Sequence, residues 1–190
     1  MKLLTDKIIK EGRIIGDHIL KVDHFLNHQL DVPLLNAIGK AFKEIFQNES
    51  ITKILTAEVS GIAIAAITAQ YFDVPVVFAK KTESLNLDKE TYEGNVYSYT
   101  RQRQYKFRVS KHYLPASDRV LIIDDFLAKG EAIRGLCEIV ESAGATLVGA
   151  GVVIEKHFQG GGDKLRAQGL NIQALASIAS MKEGTITFLH

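Results

Sequence analysis

The chain has 190 residues, 46% hydrophobic and 24% charged, with a formal net charge of +1. This composition fits one globular domain able to bury a full core, and it leaves no bulk electrostatic attraction to nucleic acid or an anionic membrane. The longest apolar run, 61–69, is far below the roughly 20 residues of a membrane span, the charge-studded opening lacks a signal-peptide core, and the single cysteine, Cys137, suits a reducing compartment, so a cytoplasmic protein is expected.

Leu4, Ile8 and Ile9 among lysines predict a short amphipathic helix over 3–13, and 14–22 reads as extended. Asp31 and Pro33 precede Leu34, Leu35, Ile38, Phe42 and Ile45, whose three-and-four spacing predicts a helix over 33–46. A strand over 52–57, a helix over 61–72 and a strand over 74–78 make a parallel βαβ unit. From 80 to 111 the pattern dissolves into a polar segment too long for an ordinary connection, which reads as a functional lid or a linker. Alternation within 95–109 allows a hairpin there. Arg101 and Arg103 with the tyrosines around them also admit a dimer surface or an RNA contact, although the near-neutral net charge argues against RNA. The α/β order resumes with a strand over 120–123, a helix over 132–142 and a strand over 146–154. Three glycines at 160–162 and a turn over 163–168 lead to late edge strands over 171–178 and 185–189. The expected fold class is α/β, a mostly parallel central sheet flanked by helices, with all of 1–190 in one domain.

The stretch 120–132 carries the most chemistry. Val120, Leu121, Ile122 and Ile123 read as a strand covered on both faces, which puts Asp124 and Asp125 at its carboxyl end. Phe126 and Leu127 follow, then a turn of Ala128, Lys129, Gly130, Glu131 and Ala132 that enters a helix. In open α/β sheets that edge is where ligands bind, and such a turn presents N–H groups and a helix N-terminus to an anion. Carboxylates accept hydrogen bonds from sugar hydroxyls, so the combination suits a ligand with both hydroxyls and a phosphate. An acidic pair taken alone also reads as a helix cap with a solvated neighbour.

A second turn of Glu58, Val59, Ser60 and Gly61 follows the first parallel strand; it suits another anion or is a plain βα connection. Lys80 and Lys81 end the next strand, as a solvated pair or as positive charge for an anionic ligand. Lys156, after an apolar strand, is a three-donor cation suited to a carbonyl, with Phe158 as a stacking ring; a mixed-charge loop is the plainer reading. Asn27 offers donor and acceptor and Leu20 an apolar cover, although a capping asparagine and a core leucine read equally well. There is no G-x-G-x-x-G fingerprint and no Walker A sequence, and six histidines without ligand spacing give no zinc site.

Residues 120–132 resemble the phosphoribosyl diphosphate (PRPP) signature of the type I phosphoribosyltransferases: an apolar strand, an acidic pair, two apolar residues and a small-residue loop. Many members carry Thr or Ser hydroxyls where this chain has Ala128, Lys129, Glu131 and Ala132, so here the cradle would be mostly backbone. The resemblance implies that Asp124 and Asp125 are the catalytic pair on the ribose hydroxyls and that Ala128, Lys129, Gly130, Glu131 and Ala132 bind the 5-phosphate. It implies diphosphate at Glu58, Val59, Ser60 and Gly61, with Lys81 taking part of its charge. Residues 20–33 resemble the base-binding hood of the family's xanthine branch, which implies that Leu20, Asn27 and Lys156 contact xanthine. A hood from about 1–33 and 155–190, a mobile loop over about 82–110, and a homodimer are implied as well. Mg2+ would be carried mainly by PRPP and diphosphate, with no metal site of the protein's own. The implied reaction transfers a phosphoribosyl group from PRPP to N9 of xanthine, with hypoxanthine, guanine or adenine as competing bases. A PRPP-sensing regulator of the same fold is the rival, against which residues 1–22 are too short for a winged helix.

Overall fold

The computed structural model describes residues 1–81, 90–98, 102–182 and 184–189, so Arg101 and the 82–89 part of the expected mobile loop lie outside the described residues. Its centre is a sheet of six strands: β3 (Lys53–Ala57), β4 (Val76–Ala79), β7 (Arg119–Leu127), β8 (Thr146–Lys156), β9 (Ile172–Lys182) and β10 (Thr185–Phe188), in the spatial order β10-β9-β8-β7-β3-β4. The strands from β9 to β4 run parallel and β10 pairs antiparallel at one edge. Among the described residues, four helices accompany the sheet: α2 (Val32–Ile45), α3 (Ser60–Phe72), α4 (Glu131–Ser142) and α5 (Gly161–Ala167). At the N-terminus α1 (Lys2–Glu11) leads into a small hairpin, β1 (Arg13–Ile15) with β2 (Ile19–Lys21).

Along β7 the side chains alternate between two cores, which is why a run of four apolar residues forms a strand here. Leu121 and Ile123 pack with Ile38 and Phe42 of α2 and Ile64 and Ala65 of α3. Val120 and Ile122 pack on the other face with Ile133, Leu136 and Ile139 of α4. Each fully buried Leu, Ile or Phe contributes about 1.5–3 kcal/mol, so both faces of the sheet must be covered for the strand to hold. The start of α2 follows its sequence signal: Asp31 Oδ1 accepts from Leu34 N at 3.0 Å, with Pro33 in the first turn.

Two differences from the sequence reading bear on the site. First, β7 does not stop at Ile123; pairing with β8 continues through Asp124↔Val152, Phe126↔Ile154 and Leu127↔Glu155, so the ladder carries the acids inside the strand despite their preference for turns. Second, residues 163–168, read as a turn, belong mostly to α5, which begins at Gly161. Gly161 and Gly162 have low helix propensity, but both backbones are pressed against other parts of the chain where a Cβ would not fit.

The segment read as a lid contains a regular hairpin among its described residues, β5 (Thr91–Ser98) with β6 (Arg103–Ser110), in register from Thr91↔Ser110 to Ser98↔Arg103. Lys80 and Arg108 exchange backbone hydrogen bonds at 2.9 Å, stitching this hairpin to the end of β4. It lies over α4, where Gly94 meets Gly135 so closely that a Cβ on Gly94 would fall 1.9 Å from the Gly135 carbonyl oxygen. Helix α4 is therefore held between the central sheet and the hairpin, with Val96, Phe107 and Val109 in the same core as Leu136.

Candidate active site

β3 and β7 are neighbours, but the chain leaves β3 toward β4 on one side and β7 toward β8 and β9 on the other. Their following helices, α3 and α4, cover opposite faces. A crevice must open at the carboxyl ends where the winding direction reverses, and the residues there come from two distant parts of the sequence.

Asp124 and Asp125 occupy that point. Asp124 is 6% exposed, and its Oδ1 accepts from Asp125 N at 3.0 Å, while Asp125 Oδ1 accepts from Phe126 N at 2.9 Å. Burial first, and the charge of Asp125 next, push the Asp124 carboxyl well above its ordinary value, with Lys81 pulling part of the way back. A buried acid beside a second acid is set for a partner rich in hydroxyls or positive charge.

The turn after β3 abuts the same acid. A Cβ on Gly61 would lie 2.1 Å from Thr56 Oγ1 and 3.3 Å from Asp124 Oδ1, so a residue without a side chain is required. Glu58 ties the turn to the neighbouring strand end: its N–H donates to Ala79 O at 3.1 Å, and its Oε1 accepts from Lys81 N at 2.6 Å. The Glu58–Val59 peptide is cis, the Val59 side chain projects into solvent, and Ser60 opens α3.

After β7 the turn is built differently. Gly130 caps α4 with φ +88, a conformation that a side chain would strain, and Gly161 N donates to Ala128 O at 3.1 Å from beneath. Lys129 is exposed. The Glu131 carboxylate pairs with Arg134 one turn along α4, which offsets a negative charge at a helix N-terminus that would otherwise oppose an anion.

This second turn forms one wall of a cavity of about 620 Å³. Its other walls are His18 and Ile19 from the β1–β2 hairpin, Val96, Tyr97 and Tyr105 from the β5–β6 hairpin, Phe126 and Leu127 of β7, and Lys156 with Gln159 after β8. Lys156 Nζ donates to His18 O at 2.8 Å and stands 5.4 Å from the centre of the Phe126 ring. Burial holds the Lys156 ammonium below its usual pKa.

The structure thus brings Lys156 and the 128–132 turn into one cavity, and Glu58, Val59, Ser60, Gly61 and Lys81 to the acid pair beside it. Leu20 and Asn27 are placed differently. The Leu20 side chain turns into the core against Gly12, and Asn27 is exposed at the end of the π-turn Asp23–Asn27; neither lines the cavity. The N-terminal residues that reach it are His18 and Ile19, and the ring on its floor is Phe126, not Phe158. Ile19, half-exposed and apolar in a charged hairpin, carried a signal only once its neighbours were known. Beyond Lys156 and Gln159 the C-terminal segment contributes β9 and β10 to the central sheet. Glu155, His157 and Asp163 bring possible ligand atoms within 4.8 Å of one another, but Arg166 bonds both Glu155 oxygens, at 2.8 and 2.7 Å, and approaches Asp163 at 3.4 Å.

The chain matches the phosphoribosyl transferase domain family over residues 28–173. It is 63% identical over 188 residues to a xanthine phosphoribosyltransferase of Alkaliphilus metalliredigens, covering 99% of this chain and 93% of that one. It is 56% identical over 188 residues to a xanthine phosphoribosyltransferase of Ruminiclostridium cellulolyticum, covering 99% of each. Among solved structures, an adenine phosphoribosyltransferase from Rhodothermus marinus superposes with a TM-score of 0.76 at 22% identity, over 93% of this chain and 99% of that one. One from Saccharomyces cerevisiae, complexed with an imino-altritol bisphosphate and adenine, gives 0.74 at 22% identity over 92% and 99%. At that identity the structural likenesses speak to the fold alone.

Proposed function

The chain belongs to the phosphoribosyltransferase family, and from that membership we propose that it transfers the 5-phosphoribosyl group of PRPP to N9 of xanthine, giving XMP and diphosphate in purine salvage. The observation that carries the reading in this chain is the junction at Asp124 and Asp125. There two turns of the kind that binds anions meet a pair of carboxylates, beside a cavity that Lys156 also lines.

Each part then has a task. Departure of diphosphate leaves positive character on the ribose ring, so the chemistry needs positioning, exclusion of water and charge compensation more than a nucleophile. Asp124 and Asp125 accept the ribose hydroxyls and stabilise the ring as it becomes positive. N–H groups of Ala128, Lys129, Gly130, Glu131 and Ala132 bind the 5-phosphate; Glu58, Val59, Ser60 and Gly61, with Lys81, bind the diphosphate. Lys156 donates to a purine oxygen, since its bond to His18 O uses one donor of three. Xanthine loses a ring proton more readily than hypoxanthine or guanine, so a cation there favours it. In this reading Leu20, packed against Gly12, fixes the hairpin that carries His18 and Ile19, and the exposed Asn27 is the residue that would contact the base from outside the cavity lining.

The donor set fits magnesium: of two adjacent hard carboxylates, Asp124 is pushed up by burial first and by the charge of Asp125 next, and a divalent cation offsets both. When bound, the ion would neutralise charge on the departing diphosphate. Asp124 and Asp125 would hold it, largely through PRPP's own oxygens. Among the described residues no helix is long and apolar enough to cross a membrane. Cytoplasmic residence rests on the lone Cys137, whose thiol is pushed up to about 11 by burial and then by Glu138 and Glu141, as suits a packing residue. A homodimer follows the general frequency of twofold assemblies.

The test is a base panel: purified protein, PRPP and magnesium with xanthine, hypoxanthine, guanine or adenine, following nucleotide formation. Strong XMP formation with weak use of the others is expected. Equal or better use of adenine would sink the xanthine assignment, and no product from any base would sink transfer itself.

A further inference from the structure

We propose that Arg166, which lies outside the cavity, is a positioning residue that sets the 5-phosphate turn and Lys156 together. The inference rests on the transfer reaction above. The guanidinium stands on α5 and donates to both oxygens of Glu155, from Nη1 at 2.8 Å and Nη2 at 2.7 Å, with Nε donating to Ile172 O at 3.3 Å. Ser177 Oγ donates to the same carboxylate at 3.3 Å. Glu155 is 1% exposed and directly precedes Lys156, so this clamp fixes the strand end from which Lys156 reaches His18 and Phe126. His157 and Asp163 also face the clamp, with His157 Nδ1 3.8 Å from Glu155 Oε1 and Asp163 Oδ1 3.4 Å from Arg166 Nη1.

The same helix underlies the phosphate turn. A Cβ on Gly161 would fall 2.2 Å from Ala128 O and 2.7 Å from Gly130 N, and Leu165 Cδ1 lies 3.2 Å from where a Cβ on Gly130 would stand. Gly162 is just as close to the clamp, its Cβ position being 1.9 Å from Glu155 Oε1 and 2.7 Å from Arg166 Nη1. Helix α5 therefore lies pressed between the ion pair and the turn, and any shift that loosens Arg166 moves Gly161 and Leu165 against Ala128 and Gly130. An ion pair with one buried and one half-buried partner adds little net stability, but a two-point guanidinium–carboxylate contact fixes position and orientation. That is what a turn made of backbone donors requires.

The experiment compares wild type with Arg166→Lys and Arg166→Met, reading PRPP binding by calorimetry, the KM for PRPP, the KM for xanthine, kcat and Tm. Arg166→Met is expected to weaken PRPP binding by roughly tenfold to a hundredfold and to raise both KM values more than it lowers kcat. Arg166→Lys keeps the charge but cannot span two oxygens, so PRPP binding stays weakened even where Tm recovers. If Arg166→Met does not fold, Arg166→Lys decides alone. A folded variant with lowered Tm and wild-type PRPP affinity would overturn the proposal and leave the pair a stability element only. Wild-type protein that binds PRPP but uses no base would end the transfer reading, while the ratio of PRPP affinities would still decide the role of Arg166.

Discussion

The turn after β3 is held by a side chain, Glu58, which locks it to the backbone of Lys81 next door. The turn after β7 is held by backbone and by packing from α5, whose sequence lies some thirty residues downstream. Both stand at the carboxyl edge of the sheet, yet one is tied by a side chain to the adjacent strand end and the other by the backbone of a helix packed beneath it. A side-chain tie leaves a turn open to adjustment by single surface changes, whereas backbone packing makes it stiff and vulnerable to substitutions that never approach the ligand.

The largest effect is expected where both turns converge. Asp124→Asn should cut transfer by about 10²–10³ while stabilising the unliganded fold. The folded carboxyl has a raised pKa, so the native state holds its proton longer than the unfolded chain. The stability that Asp124 confers is thus full below the ordinary carboxylate range and is lost as pH rises through the raised value. The variant should melt higher than wild type at neutral and alkaline pH, with the gap closing in acid; a gap independent of pH would remove the assignment. Next comes Gly161→Ala, which forces Ala128 and Gly130 to move and should cost about 1–3 kcal/mol of stability together with a rise in the PRPP KM; an unchanged KM would mean that the turn does not lean on α5. Glu58→Ala should weaken PRPP binding by about tenfold or less, in line with one lost hydrogen bond of about 1 kcal/mol, with little change in Tm. A drop in Tm as large as that of Gly161→Ala would erase the contrast between the turns. Smallest is Glu131→Gln, which removes a negative charge beside the phosphate and should tighten PRPP by about two- to fivefold, the range of 0.3–1 kcal/mol for a charge at a helix end. Calorimetry showing weaker binding would mean that the Arg134 pair supports the turn.

The same contrast explains what the sequence made legible. Residues 120–132 announced themselves because strand, acids and turn are contiguous, and so did α2, whose Asp31 and Pro33 signal its start. The role of α5 was hidden because Gly160, Gly161 and Gly162 look like a loop; their reason, close approach to Ala128 and Glu155, exists only in three dimensions. The end of β7 is not legible because side-chain preference cannot see β8, which pairs with Leu127. His18 reaches the site with a backbone carbonyl, which any residue type supplies. Phe126 sat inside the signature, but its place beneath Lys156 depends on a strand almost thirty residues later.

The hairpin that crosses α4 also bears on how this chain behaves among its neighbours. An open sheet invites other chains to add strands at its borders, and long, flat, exposed borders promote aggregation. Here both outermost strands have only four residues. β10 is interrupted by a register shift between Thr187 and Phe188. At the other border, the Lys80–Arg108 hydrogen bonds occupy the chain as it leaves β4. Neither border of the central sheet therefore offers a long template for strand addition.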